Sequence, residues 1–277
     1  MNIAFIDIGE LGWSLLLSAR IRWIKKNSDD SVAVITYPDR RCLYENMADI
    51  ILDIPDVFYK TFDVQKQDCF GLHGIPSYKI SGFFASYVPE GYGIPGNPQF
   101  SCRSIFTENL IFEPYKYKIE MNGDREIMIF PRCRLDEICH IARNLPEAFY
   151  VALIKRLCEE FPSLLIRTAG TKAGAYNIES EKPNYVNWVG KANSVQDTID
   201  RCQVTVTAIG AQSAPPKITL LQGVPTFMMG HEEKRHVVTD NWLGTKAGFY
   251  PVGKNSYNDI DSASCIAKIV DFVRSCV

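Results

Sequence analysis

Short apolar runs alternate along this chain with amphipathic stretches, and most runs stop at a glycine, a proline or a cluster of polar residues. Asn2 to Ile8 closes at Gly9 and predicts a first strand. Leu15 to Ile24 has apolar residues at helical spacing. Arg20, Arg22, Lys25 and Lys26 crowd its end, where cations suit the negative pole of a helix. Ser31 to Thr36 predicts a second strand and Asp49 to Ile54 a third. A β-α-β-(α)-β order of this kind predicts an α/β fold with a parallel, doubly wound sheet.

A second series begins near Glu126. The segment ending at Pro131 reads as a strand, and Pro146 to Phe161 as a helix that starts on its proline and gathers Phe149, Leu153, Ile154 and Leu157 on one face. Leu164 to Thr168 and Tyr185 to Val189 read as strands ending at Gly170 and Gly190. Ser194 with Asp197 predicts a capped helix start. From Cys202 to Glu232 the order is strand, small-polar turn, short helix, Gly223-Val-Pro225, and a strand stopping at Gly230. Residues 259 to 274 form a last amphipathic helix.

Residues 55 to 120 differ, being rich in aromatics with glycine and proline clustered between Pro89 and Pro98. They read as an irregular wall over the first sheet. The expected boundary lies in the polar stretch 114 to 125. This gives a Rossmann-like domain over 1–120, a second over 121–258, and a C-terminal helix over 259–277 that packs back on the first.

Composition narrows the function classes. The 277 residues are 46% apolar and 22% charged, as in a globular protein. A net charge of −2 offers no basic field for nucleic acid, and no run of 18 apolar residues predicts a membrane span; peripheral membrane association stays open. The N-terminus carries acid rather than base, so no signal peptide is expected. Nine scattered cysteines without a CxxC pair argue against zinc and for reduced thiols in a cytoplasm. His231 and His236 are five apart, which is not a metal-binding helical pair, so no metal and no cofactor are expected.

The candidate chemistry sits at strand ends. Gly9-Glu10-Leu11-Gly12 follows the first strand; it is not GxGxxG, and Glu10 has the place and charge of a general base. Arg132 and Arg134 directly follow a strand and suit bidentate phosphate contact. Gly170 with Thr171, and Val189 with Gly190, end the next two strands, where backbone can approach a ligand. The turn holding Gln212 and Ser213, with Lys217 one turn into the following helix, offers amide N–H groups and a cation to an anion. Gly230, His231 and Glu232 end the last strand, where a sugar could be held. Each of these alone also reads as an ordinary turn. Together they put phosphate-type groups along one edge of a sheet.

The second half resembles the GT-B-fold glycosyltransferases of the heptosyltransferase type. That family carries a D/N-S-G-P-x-H turn followed by G-x-P-T-x-x-x-x-G. Here the turn reads Gln212-Ser213-Ala214-Pro215-Pro216-Lys217, and the later piece, Gly223-Val-Pro225-Thr226-Phe-Met-Met-Gly230, is one residue shorter. The histidine position holds Lys217, and the place of the family's catalytic aspartate holds Trp13. The resemblance implies two Rossmann-like halves facing across a cleft. It also implies metal-independent, inverting transfer of a sugar from a nucleotide-diphosphate sugar to a hydroxyl-bearing acceptor. Open alternatives are a non-catalytic sugar-nucleotide-binding subunit and another sugar-nucleotide enzyme, an epimerase or hydrolase.

Overall fold

The computed structural model describes residues 1–64, 75–94, 125–135, 141–191, 194–231, 245–253 and 255–277. The chain divides into two compact units, Met1–Glu113 and Pro114–Val277.

In the first unit, β1 (Asn2–Ile6), β2 (Ser31–Thr36) and β3 (Ile50–Asp53) form a parallel sheet in the order β1-β2-β3. β2 is buried almost throughout, as expected of a parallel strand covered on both faces. The helix α1 (Leu11–Asn27) connects β1 to β2 and ends on Lys25 and Lys26, as the charge pattern predicted. Lys25 Nζ then reaches the Asp49 carboxylate at 2.9 Å, and Asp49 accepts the Val32 N–H at 2.7 Å. The connection from β2 to β3 is a 3-10 turn, Pro38–Leu43, in place of the expected α-helix. Pro38 fixes its start, and six residues leave no room for an amphipathic face.

The described part of residues 55 to 120 holds two helices, α2 (Asp56–Phe62) and α3 (Ser77–Phe84), followed by turns that end in a parallel bridge from Gly93 to Ile3. Phe58, Ile80 and Phe84 pack on Ile6, Ile8, Ile35 and Tyr37, so these helices do cover one face of the sheet. The Phe58–Phe84 and Phe58–Phe62 ring pairs, each 5.0 Å between centroids, explain the aromatic density of the segment.

The second unit holds six parallel strands: β4 (Glu126–Phe130), β5 (Leu165–Thr168), β6 (Tyr185–Asn187), β7 (Thr205–Ala211), β8 (Thr226–Gly230) and β9 (Ala247–Pro251), in the order β6-β5-β4-β7-β8-β9. Counted within the unit this is 3-2-1-4-5-6, the doubly wound order of dinucleotide-binding sheets. β4 shows the two-residue period. Ile127 and Ile129 face a core with α4 (Glu147–Glu160) and α7 (Ser262–Arg274), while Met128 and Phe130 face a smaller one with Ala169, Ala208, Val224 and Trp188. α5 (Val195–Arg201) starts on the Ser194–Asp197 capping box, as predicted. α6 (Ala214–Leu221) completes the set.

One expectation changes: Pro146 is the N-cap of α4 and not its first helical residue. The last helix is α7. It buries Cys265, Ile269, Val270 and Val273 in the core of its own unit, against α4 and β9. Each such aliphatic contributes about 1.5–3 kcal/mol, enough to hold the helix there.

Candidate functional site

The sheet order determines where a ligand can sit in the second unit. Connections leave β4 toward β5 on one side and β7 toward β8 on the other, so the crevice of an open α/β sheet opens beyond the carboxyl ends of β4 and β7. Arg132 follows β4, and Gln212 and Ser213 follow β7. Two groups singled out from separate stretches of sequence therefore flank one switch point.

The loop after β4 is built rigidly. Arg132 forms an antiparallel bridge with Ala175; the Cys133 N–H donates to the Gly174 carbonyl, and the Tyr176 N–H to the Pro131 carbonyl. Gly170 has φ +152°, and a Cβ there would lie 2.6 Å from Ala175 Cβ, so only glycine permits this packing. The Arg132 side chain is buried, with 5% exposure, and is not part of a solvated surface turn. Its charge acts on two buried phenols. Burial raises the pKa of Tyr150 strongly and that of Tyr257 as well, and Arg132 opposes both rises. Arg143 opposes the rise at Tyr257 as well. Arg134 is held through its backbone by Asn144, and its side chain is half-buried.

After β7, Gln212 is buried and Ser213 caps α6 without a side-chain capping bond; Ser213 Oγ donates to the Ala211 carbonyl at 3.0 Å. The first turn of α6 is poorer in donors than a typical helix start, because Pro215 and Pro216 have no N–H. The amides of Ser213 and Ala214 remain, with half-buried Lys217 behind them. Gly210 brings this turn close to the sheet: a Cβ there would meet Pro216 Cγ at 2.4 Å.

Gly230 serves the same side. A Cβ on it would come within 3.2 Å of Gln212 Oε1, so its bareness makes room for a protein side chain rather than for a ligand. His231 Nδ1 lies 3.2 Å from Tyr257 Oη, and Tyr257 Oη donates to Gln212 Oε1 at 2.5 Å. Glu232 lies outside the described residues.

The ends of β5 and β6 are less open than expected. The Val189 N–H is taken by Asn187 Oδ1 at 3.1 Å, and the Gly190 N–H by the Gly170 carbonyl at 2.8 Å. A base lying there would have to use carbonyl acceptors. Thr171 is exposed, and Trp188 packs into the smaller core.

The first unit carries its own strand-end group. α1 begins at Leu11, so Gly12 is inside the helix, and only Asp7 to Glu10 form the turn. Glu10 is the N-cap, exposed and without a side-chain capping bond. Beneath it Asp7 is fully buried. Its Oδ1 accepts from Ser14 Oγ at 2.8 Å, and its Oδ2 from Thr36 Oγ1 at 2.8 Å and Tyr44 Oη at 2.7 Å. Arg40 stands 3.9 Å from Asp7 and donates to Ser14 Oγ and, at 2.5 Å, to the Gly9 carbonyl. Asp7 is a satisfied structural anion that fixes the turn. Glu10 is the exposed carboxylate of this turn.

Sequence reasoning missed Tyr257, Asn144, Asn187 and Asp7. Only Asp7 left a signal, as an acid inside an apolar run. Among the described residues no three His, Cys, Asp or Glu side chains cluster as metal ligands, and no helix is long and apolar enough to cross a membrane.

No family model matches the chain, and no curated protein matches it in sequence. Solved structures do match in fold. A glycosyl transferase family 9 protein from Veillonella parvula superposes with a TM-score of 0.66 at 9% identity, over 99% of this chain and 97% of that one. The ADP-heptose lps heptosyltransferase II of E. coli gives 0.63 at 11% identity over 99% of each chain. The E. coli heptosyltransferase WaaC with ADP gives 0.59 at 8%, over 100% and 99%. What this chain shares with them is the fold: GT-B, built of two Rossmann-like α/β units.

Proposed function

We propose that the protein is a glycosyltransferase that moves a sugar from a nucleotide-diphosphate sugar to a hydroxyl-bearing acceptor, without a metal and with inversion. One observation carries the reading: buried Arg132 and the Gln212–Ser213 turn flank the switch point of a 3-2-1-4-5-6 parallel sheet. The fold likeness to heptosyltransferases, one of them solved with ADP, supports a nucleoside diphosphate as the bound part of the donor.

In this reading Glu10 takes the proton of the acceptor hydroxyl, whose oxygen attacks the anomeric carbon. The bond to the diphosphate oxygen breaks with its electron pair, and charge builds on the leaving phosphate. Arg132, Lys217, and the Ser213 hydroxyl and amide stabilise that charge, which is the part a metal ion plays in other transferases. A single displacement inverts the anomeric centre.

A thermal-shift screen with nucleoside diphosphates and their sugars tests the donor assignment. A ligand at 100 times its Kd stabilises the fold by about 2.7 kcal/mol, and a flat response to every nucleotide rejects the reading. Glu10→Gln then separates catalysis from a non-catalytic binding role, which the tryptophan at position 13 keeps in play. Turnover lost with donor affinity intact supports the base. A parent that binds donors but turns none over supports the binding subunit.

A further inference from the structure

We propose that Tyr257 fixes the polarity of the Gln212 carboxamide, so that this position recognises a proton-free oxygen of the ligand, on a phosphate or a carbonyl. The inference rests on the nucleotide-sugar reading of the same strand ends. Gln212 is 4% exposed, and its Oε1 is engaged by Tyr257 Oη at 2.5 Å and packed against the bare Gly230. The phenol O–H donates to Gln212 Oε1, the shorter of its two side-chain contacts, with His231 Nδ1 at 3.2 Å. With Oε1 taken, the amide has one orientation, and Nε2 with its two hydrogens turns away from Tyr257. Nε2 makes no hydrogen bond among the described residues, and it is not one of the buried polar atoms lacking a partner, so it is the part of this nearly buried side chain that keeps contact with solvent. The charges of Arg132 and Arg143, felt at Tyr257, make that spot electropositive. A donor pair in a positive field selects an electron-rich oxygen over a hydroxyl that must place its own proton. Tyr257 is a positioning residue, and Gln212 makes the contact.

The test is calorimetric titration of the parent, Gln212→Ala, Gln212→Glu, Tyr257→Phe and the Tyr257→Phe/Gln212→Ala double variant. The probes are ADP, UDP, GDP and thymidine diphosphate, alone and as their N-acetylglucosamine conjugates, with melting temperatures recorded for each variant. Gln212→Glu puts a carboxylate oxygen against the ligand oxygen. It should weaken binding about tenfold or more, beyond the loss seen in Gln212→Ala. Tyr257→Phe should weaken binding alone but add nothing in the Gln212→Ala background, a coupling that mere loss of packing would not give. A penalty seen with the diphosphate alone assigns the oxygen to phosphate; one seen only with the conjugate assigns it to the acetamido carbonyl. Gln212→Glu binding as tightly as Gln212→Ala, or additive losses in the double variant, overturns the inference and leaves the nucleotide reading standing. A parent that binds none of the probes overturns both.

Discussion

Asn144 holds the backbone of Arg134 from two sides: its Oδ1 accepts the Arg134 N–H at 3.0 Å, and its Nδ2 donates to the Arg134 carbonyl at 2.8 Å. A carboxamide matches one donor and one acceptor on the same residue, which aspartate and leucine do not. Asn144→Ala should cost about 1–2 kcal/mol in urea denaturation, since it leaves two polar backbone groups without their partner. Asn144→Asp should cost at least as much, because a carboxylate would face the Arg134 carbonyl. Equal stability of parent and Asn144→Asp would show the clamp to be idle.

Gly210 should tolerate no Cβ. An alanine methyl would meet Pro216 Cγ at 2.4 Å and Phe130 Cβ at 3.2 Å, and neither neighbour is the end of a flexible chain. Overpacking of this kind costs about 1–3 kcal/mol. The strain falls on the first turn of α6, so Gly210→Ala should also lower affinity for nucleoside diphosphates. Gly82, with nothing within 4 Å of an added Cβ, is the control and should accept alanine without loss.

Glu126 anchors the opposite end of the sheet. It is fully buried and accepts from Arg201 through both oxygens, at 2.9 and 2.6 Å, from Arg167 Nε at 2.7 Å and from Thr205 Oγ1 at 3.3 Å. Glu126→Gln leaves two guanidinium groups without their counter-charge and should destabilise by about 3–5 kcal/mol. It lies at the amino ends of the strands, so donor affinity in the folded fraction should be unchanged. Isothermal titration below the melting temperature separates the two effects.

The buried thiols predict an alkaline limit. Burial pushes Cys202 and Cys265 up to about 12 and Cys158 up to about 11, from an ordinary 9.0. Between those values the unfolded chain has released protons that the fold retains, so stability decreases as pH rises. It is complete below pH 9 and declines between about 9 and 12, whereas substitution of these cysteines by alanine or valine should flatten the decline. At neutral pH the same three thiols should react with a disulfide reagent only on unfolding.

The strand ends were legible because each apolar run closes on a residue that cannot continue it: Gly9 after β1, Pro131 after β4, Gly230 within the close of β8. The doubly wound class and the place of Arg132 directly after β4 followed from that punctuation. The start of α1 was not legible, since Leu11 and Gly12 give no start signal that outranks the glycine. β9 was missed because a half-buried edge strand has no strong period. Tyr257 sits in the polar run Asn255 to Asp259, and its partner Gln212 is 45 residues away. Such contacts are fixed by the assembled sheet and leave no local trace. The turn after β7 was placed correctly between a strand and a helix, but its amides were overcounted, since two prolines occupy the positions that would have donated.

Those prolines have a consequence for how the corner would respond to ionic strength. Peptide dipoles at a helix start are fixed and close to a bound anion, whereas a half-exposed lysine acts over a longer path that mobile ions screen. In the proposed donor site, with Pro215 and Pro216 in place, Lys217 would carry weight that backbone would otherwise share. Its contribution to holding an anion should fade as salt is added, while that of sheltered Arg132 should persist.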